Sequence, residues 1–125
     1  MWTSIFAVFF GAGFGALLRT GFNFLMAGTA SIVPLGTLIS NLVGGYLIGI
    51  AIAFFGNNPN LSPEWKLFVI TGFLGGLTTF SSFSAEVVTL LQRGEFTWAL
   101  VTALLHLVGS LALTFLGILT YQTLK

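Results

Sequence analysis

Apolar residues fill this chain in long blocks, and polar punctuation falls at few places. Uncharged stretches run from Trp2 to Leu18, from Thr20 to Pro63 (44 residues), from Leu67 to Ala85 (19 residues) and from Phe96 to Leu124 (29 residues). A bilayer-spanning helix needs about 20 apolar residues, so the longest block must divide. Gly28-Thr-Ala-Ser31 followed by Pro34 favours a turn and a fresh helix start. Gly56-Asn-Asn-Pro-Asn60 closes that second helix, and Ser62-Pro63 opens a third with Ser62 as N-cap and Pro63 in the first turn. Gln92-Arg-Gly-Glu95 is a short turn before a fourth. The pattern predicts four transmembrane helices, at about 3–27, 33–55, 63–91 and 95–123, in a single all-α domain over 1–125. Its loops are short, so helices adjacent in sequence run antiparallel. The N-terminus lacks a basic leader region, so the first helix is expected to remain in the protein.

Composition sharpens this picture. Apolar residues make up 56% of the chain and charged ones 6%, with mean hydropathy +1.03. A soluble domain carries about 25% charge, so this is a membrane protein. Four cations with a net charge of +1 exclude a nucleic-acid surface, which needs clustered Lys and Arg. No cysteine is present, so disulfides, thiolate chemistry and Cys-based metal sites are excluded. With four spans, Lys66 and Lys125 fall on the side of the termini, and Arg93 with the late first-helix Arg19 falls toward the other. Two cations against two give no orientation bias, so a pair of oppositely inserted copies is expected.

Small residues line parts of the helices: Gly11 and Gly15, and Gly45 and Gly49, form G-x-x-x-G pairs, with Gly13, Ala16 and Gly44 beside them. In lipid such faces let helix backbones approach closely. Polar residues at membrane depth carry more chemistry. Thr102, His106, Ser110 and Thr114 recur every four residues and share one face of the fourth helix, while Thr37 and Asn41 share a face of the second. A lone hydroxyl bonds back to its own helix; a stripe of them suggests a polar track. Glu86, near the polar end of the third helix, either snorkels or finds a donor such as a Thr, His106 or water. Arg19 either snorkels or lines an aqueous vestibule that concentrates anions. His106 is a ligand, a proton shuttle or a hydrogen-bonding core residue; with no second His and no Cys, metal binding is its weakest reading.

The third helix contains the least helical segment, Gly75-Gly-Leu-Thr-Thr-Phe-Ser-Ser-Phe83. Two glycines and four hydroxyl residues favour a break near its centre. Such a break survives in a membrane only where protein or water surrounds it, and it frees carbonyl oxygens that suit either an alkali cation or hydrogen-bond donors in a dimer contact. Phe80 and Phe83 follow it, in a polar neighbourhood with Ser81 and Ser82.

Over nearly its whole length the chain resembles the Fluc family of small fluoride channels. The segment 75–83 looks like that family's third-helix signature, Gly36-Thr-Leu-Ile-Ser-Asn41 with Gly44 and Gly49 like its second, and Gly15-Ala-Leu-Leu-Arg19 like its first. The resemblance implies an antiparallel, dual-topology homodimer in a bacterial-type inner membrane, with two pores that release cytoplasmic fluoride and so confer resistance. Neutral HF crosses lipid and dissociates inside, which traps the anion. The resemblance further implies that Phe80 of one subunit and Phe83 of the other line each pore, with Asn41 donating to the anion and Ser81 and Ser110 nearby. Thr37, Glu86, Thr102, His106 and Ser110 would form the polar track, Arg19 the vestibule, and the Gly75 and Thr78 carbonyls a central structural sodium site. Two positions depart from the family pattern: His106 stands where many relatives have Asn, and Thr20 follows Arg19 where an aromatic is common.

Three other functions compete. A proton-coupled exporter needs a membrane-centred carboxylate, for which Glu86 is the sole candidate. An enzyme with Ser81 or Ser110 as nucleophile and His106 as base lacks an orienting acid. An assembly subunit would use the polar stripe only to hold helices together.

Overall fold

A computed structural model describes all 125 residues. Helix α1 spans Trp2–Met26 and α2 spans Leu35–Asn57. The third span is two elements: α3, residues 63–77, and α4, Phe80–Gln92. Helix α5 covers Phe96–Leu124. Four helical stretches are thus long and apolar enough to cross a membrane, the third taken as Pro63–Gln92 with its interruption.

The helix ends follow local chemistry. Helix α2 starts two residues later than the sequence pattern predicts, because Pro34 sits in an extended conformation as its N-cap. Ser62 caps α3, its hydroxyl accepting from the Glu64 N–H with Pro63 in the first turn. Helix α4 ends in a Schellman turn: Glu95 N–H bonds to the Leu90 carbonyl, Gly94 N–H to that of Leu91, and Gly94 takes φ +76.

Inside α3 the sequence pattern missed a feature. After an α-helical turn at Pro63–Lys66, the backbone passes through π-helix over Leu67–Leu74 before closing with an α-helical turn at Gly75–Leu77. The break that follows lies at Thr78 and Thr79, both extended (ψ 155 and ψ 118). Thr78 turns its N–H and its hydroxyl onto the Leu74 carbonyl, at 3.0 and 2.8 Å. Thr79 caps α4 by accepting from the Ser82 N–H at 3.2 Å. Two adjacent hydroxyl residues thus close one helix and open the next.

Two close helix pairs build the bundle. Gly11, Gly15 and Gly76 bring α1 and α3 so near that a Cβ at any of them would strike the opposing backbone. Gly49 and Gly117 do the same for α2 and α5. Gly13, expected beside these faces, meets nothing within 4 Å, and Gly44 faces the Thr78 side chain rather than α5. A small apolar core of Ala51, Leu74 and Leu77 lies where the pairs meet.

This packing predicts an asymmetric response to added methyls. Gly117→Ala drives a Cβ against the Tyr46 carbonyl and should cost about 1–3 kcal/mol. Gly13→Ala should stay within about 1 kcal/mol of the parent, on the favourable side. Thermal melting of the two variants in detergent separates them.

Candidate functional site

The break is held from both sides by side chains far away in sequence. From α2, Asn41 pairs with the peptide groups of Thr79: Thr79 N–H donates to Asn41 Oδ1 at 2.8 Å, and Asn41 Nδ2 donates to the Thr79 carbonyl at 3.1 Å. From α1, Arg19 Nε donates to the Gly76 carbonyl at 3.1 Å. The guanidinium therefore turns inward to the C-terminal end of α3, where the helix dipole favours a cation.

Asn41 makes a third contact, between Nδ2 and His106 Nδ1 at 2.9 Å. The His106 ring in turn lies 4.5 Å from the Phe83 ring at a 37° tilt, and Phe83 meets Phe80 edge-on at 5.5 Å. Phe80 is 78% exposed, and an apolar ring on that face is free to meet a second surface.

Around these residues runs an open groove of about 470 Å³, whose lining includes Asn41, Thr78, Phe80, Phe83, His106 and Ser110. Gly75 also borders it. The groove thus brings together seven of the twelve residues expected to carry function. The others lie elsewhere. Thr37 donates to Glu86 Oε2 at 2.6 Å, away from the groove, and gives that carboxylate the hydroxyl donor its depth requires. Thr102 is wholly buried and bonds back to the Trp98 carbonyl at 2.8 Å. Ser81 is exposed and its hydroxyl lies 3.2 Å from that of Thr79. Arg19 sits behind the break. Of the α5 stripe, His106, Ser110 and Thr114 reach the groove, and Thr114 also ties α5 to α2 through the Gly45 carbonyl at 2.8 Å. Sequence reasoning missed Thr79, whose backbone Asn41 holds; its place after Thr78 in a poor helix was the available signal.

Electrostatically the groove is nearly neutral, with no acidic side chain in its lining. No group of His, Asp and Glu gathers to hold a metal ion. The backbone hydrogen bonds outside the helices reach neither the Gly75 nor the Thr78 carbonyl, so hard oxygen donors of the kind an alkali cation takes are present at the break.

Similarity to known proteins extends over the whole chain. The family model described as "CrcB-like protein, Camphor Resistance (CrcB)" matches residues 6–118. A protein of Polynucleobacter asymbioticus named "Fluoride-specific ion channel FluC" is 81% identical over 125 residues, the full length of both chains. Proteins of the same name from Burkholderia mallei and Nitrosomonas europaea are 59% identical over 120 residues (96% of this chain and 94% of theirs) and 52% identical over 125 (100% and 98%).

The clamp on Thr79 makes a direct prediction. Asn41→Ala removes both bonds to that residue, so the Thr79 amide should exchange with deuterium about tenfold faster or more, as expected for loss of a buried hydrogen bond. Hydrogen exchange with mass spectrometry across 74–83 reads the change.

Proposed function

The chain belongs to the CrcB family, and from that premise we propose that it is a passive fluoride channel, active as an antiparallel homodimer. The single observation that carries the reading is the groove: two phenylalanine rings, one of them 78% exposed, beside Asn41, His106 and Ser110 in a protein of bilayer-spanning helices. The polar side chains set into this mostly apolar groove would be costly to leave facing lipid, and a second copy would cover them and close the groove into a conduit.

The physical logic of conduction follows from the anion. Fluoride is small and strongly hydrated, so a pathway must replace water with hydrogen-bond donors and still release the ion. N–H and O–H groups along the groove supply donors, and the positive edges of Phe80 and Phe83 face an anion without holding it deeply. Ser81, beside the rings, and the Thr37–Glu86 pair with Thr102, toward the same membrane face, would continue the polar track. Arg19 adds positive potential at the vestibule. On this reading the channel releases cytoplasmic fluoride across a bacterial inner membrane and confers resistance to it.

The antiparallel arrangement is supported by charge. With Arg19 drawn inside, the loop cations are Lys66 and Lys125 at one end and Arg93 at the other, a difference of one. The carbonyls of Gly75 and Thr78, which no backbone hydrogen bond outside the helices reaches, would hold a structural sodium ion, which would lend the dimer a fixed positive charge. An exporter is disfavoured because Glu86 turns to Thr37, away from the groove. A hydrolytic role is disfavoured because the His106 ring is engaged at Nδ1 by Asn41 and has no acid to orient it.

Purified protein in liposomes should release fluoride without a proton gradient and hold back chloride; absence of fluoride flux sinks the channel reading. Phe80→Ile and Phe83→Ile should each slow efflux about tenfold or more, a barrier increase of about 1.4 kcal/mol, with the dimer intact. The cysteine-free chain also allows a topology test: Asn58→Cys in cells should react with a membrane-impermeant maleimide to about half, and complete or absent labelling refutes dual insertion. Replacing sodium by a bulky organic cation should lower flux; unchanged flux would remove the central ion.

A further inference from the structure

We infer that Arg19 is a positioning residue of the conduction pathway: its Nε–H caps the end of α3 and so sets where the two phenylalanine rings stand, a task separate from the charge it lends the vestibule. The inference rests on the fluoride reading and adds the residue that aligns its pathway. It begins with the register of α1 against α3. A Cβ at Gly11 would meet Phe68, Gly72 and Phe73, and one at Gly15 would meet Phe73 and Leu77. Contacts that advance together along both segments mean that the two helices run parallel.

Gly11, Gly15 and Arg19 recur every four residues, so all three lie on the face of α1 that meets α3. The glycines bring the two backbones together. The third position of the stripe falls where α3 stops, at Leu77. Side chains on a helix tilt toward its N-terminus, whereas its carbonyls point toward its C-terminus. In a parallel pair these directions oppose one another, so the Arg19 stem runs back to meet carbonyls that α3 leaves open. Nε reaches that of Gly76 at 3.1 Å, the one hydrogen bond its side chain makes within the chain.

Gly76 is closely held, since a Cβ there would strike the Ala12 backbone, so its carbonyl cannot swing away to find another donor. Beyond it the chain turns at once. Thr78 is tied to the Leu74 carbonyl, Thr79 to Asn41, and Phe80 opens α4 directly afterwards. A carbonyl left without a donor at this depth is costly. Loss of the Nε–H therefore leaves the last turn of α3 to rearrange, and Phe80 and Phe83 move with it.

The cap and the charge reside on different atoms, which makes them separable. Counting outward from Cα, the fourth side-chain atom is Nε in arginine and the amide nitrogen in glutamine. Arg19→Gln thus keeps an N–H at the capping position and loses the charge. Arg19→Lys keeps the charge and puts a methylene there. Fluoride efflux from liposomes in about 1 M salt, where the Debye length is about 3 Å, screens the vestibule potential and leaves the cap. We expect Arg19→Lys to slow efflux about tenfold or more, the scale of a hydrogen bond to a charged group, and Arg19→Gln to recover at least about threefold of that loss. Hydrogen exchange across 74–83 in lipid nanodiscs reads the break without any flux. It should be faster in the Lys variant than in the Gln variant by a similar factor. Slower efflux together with faster exchange in the Lys variant upholds the inference, and any other order of the two variants overturns it. Failure of the wild-type protein to pass any fluoride overturns the channel reading instead, and the order of exchange then still decides whether Nε holds the break.

Discussion

Everything in this protein is arranged around one awkward requirement: an interrupted helix at mid-membrane must have its exposed peptide groups satisfied without water. Thr78 and Thr79 leave the helical path, and in hydrocarbon each unpaired N–H or C=O carries a penalty of several kcal/mol. The chain meets most of the requirement with side chains and leaves the Gly75 and Thr78 carbonyls without a partner. Asn41 pairs with both peptide groups of Thr79, Arg19 takes the Gly76 carbonyl, and the hydroxyls of Thr78 and Thr79 close the two helix ends. Only a side-chain amide offers a donor and an acceptor at the spacing of a peptide group. Asn41 therefore substitutes for the missing neighbouring strand or helical turn.

Such pins work only if the helices carrying them cannot drift. Asn41 rides on α2 and Arg19 on α1, and each helix is locked to a partner at backbone distance by glycines. The contact of α1 with α3 near Gly76 sets the depth at which Arg19 meets the break, while the contact of α2 with α5 near Gly49 and Gly117 sets Asn41 beside His106. Small residues thus have a function at one remove. They contribute no donors, yet they decide where the donors lie.

Much of this was legible in the sequence, and the gaps have physical causes. The four spans follow from the spacing of charges and turn residues, and the Ser62-Pro63 start and the poor helix at 75–83 are local signals that depend on a few neighbouring residues. The π-helical stretch at Leu67–Leu74 left no such signal. A largely apolar segment, with only Thr71 and Gly72 to interrupt it, reads alike in either hydrogen-bond register. Pairings between residues 38 to 65 positions apart, such as Asn41 with Thr79 and His106, are set by tertiary packing alone. The regular spacing of Thr102, His106, Ser110 and Thr114 located a common face but not a common role, because Thr102 satisfied itself on its own helix.

A single copy of this chain leaves its principal site half enclosed. Phe80 stands out from the surface, and Asn41, Thr78 and His106 border a groove rather than a sealed cavity. In a soluble protein water would fill such a groove at little cost, but a lipid tail offers it no hydrogen bonds. The polar side chains of the groove need a counterpart, and in the proposed antiparallel dimer an inverted copy would supply one under two-fold symmetry. Under that proposal the near-balance of loop charge would permit both orientations, and the unfinished groove would give the two a reason to meet.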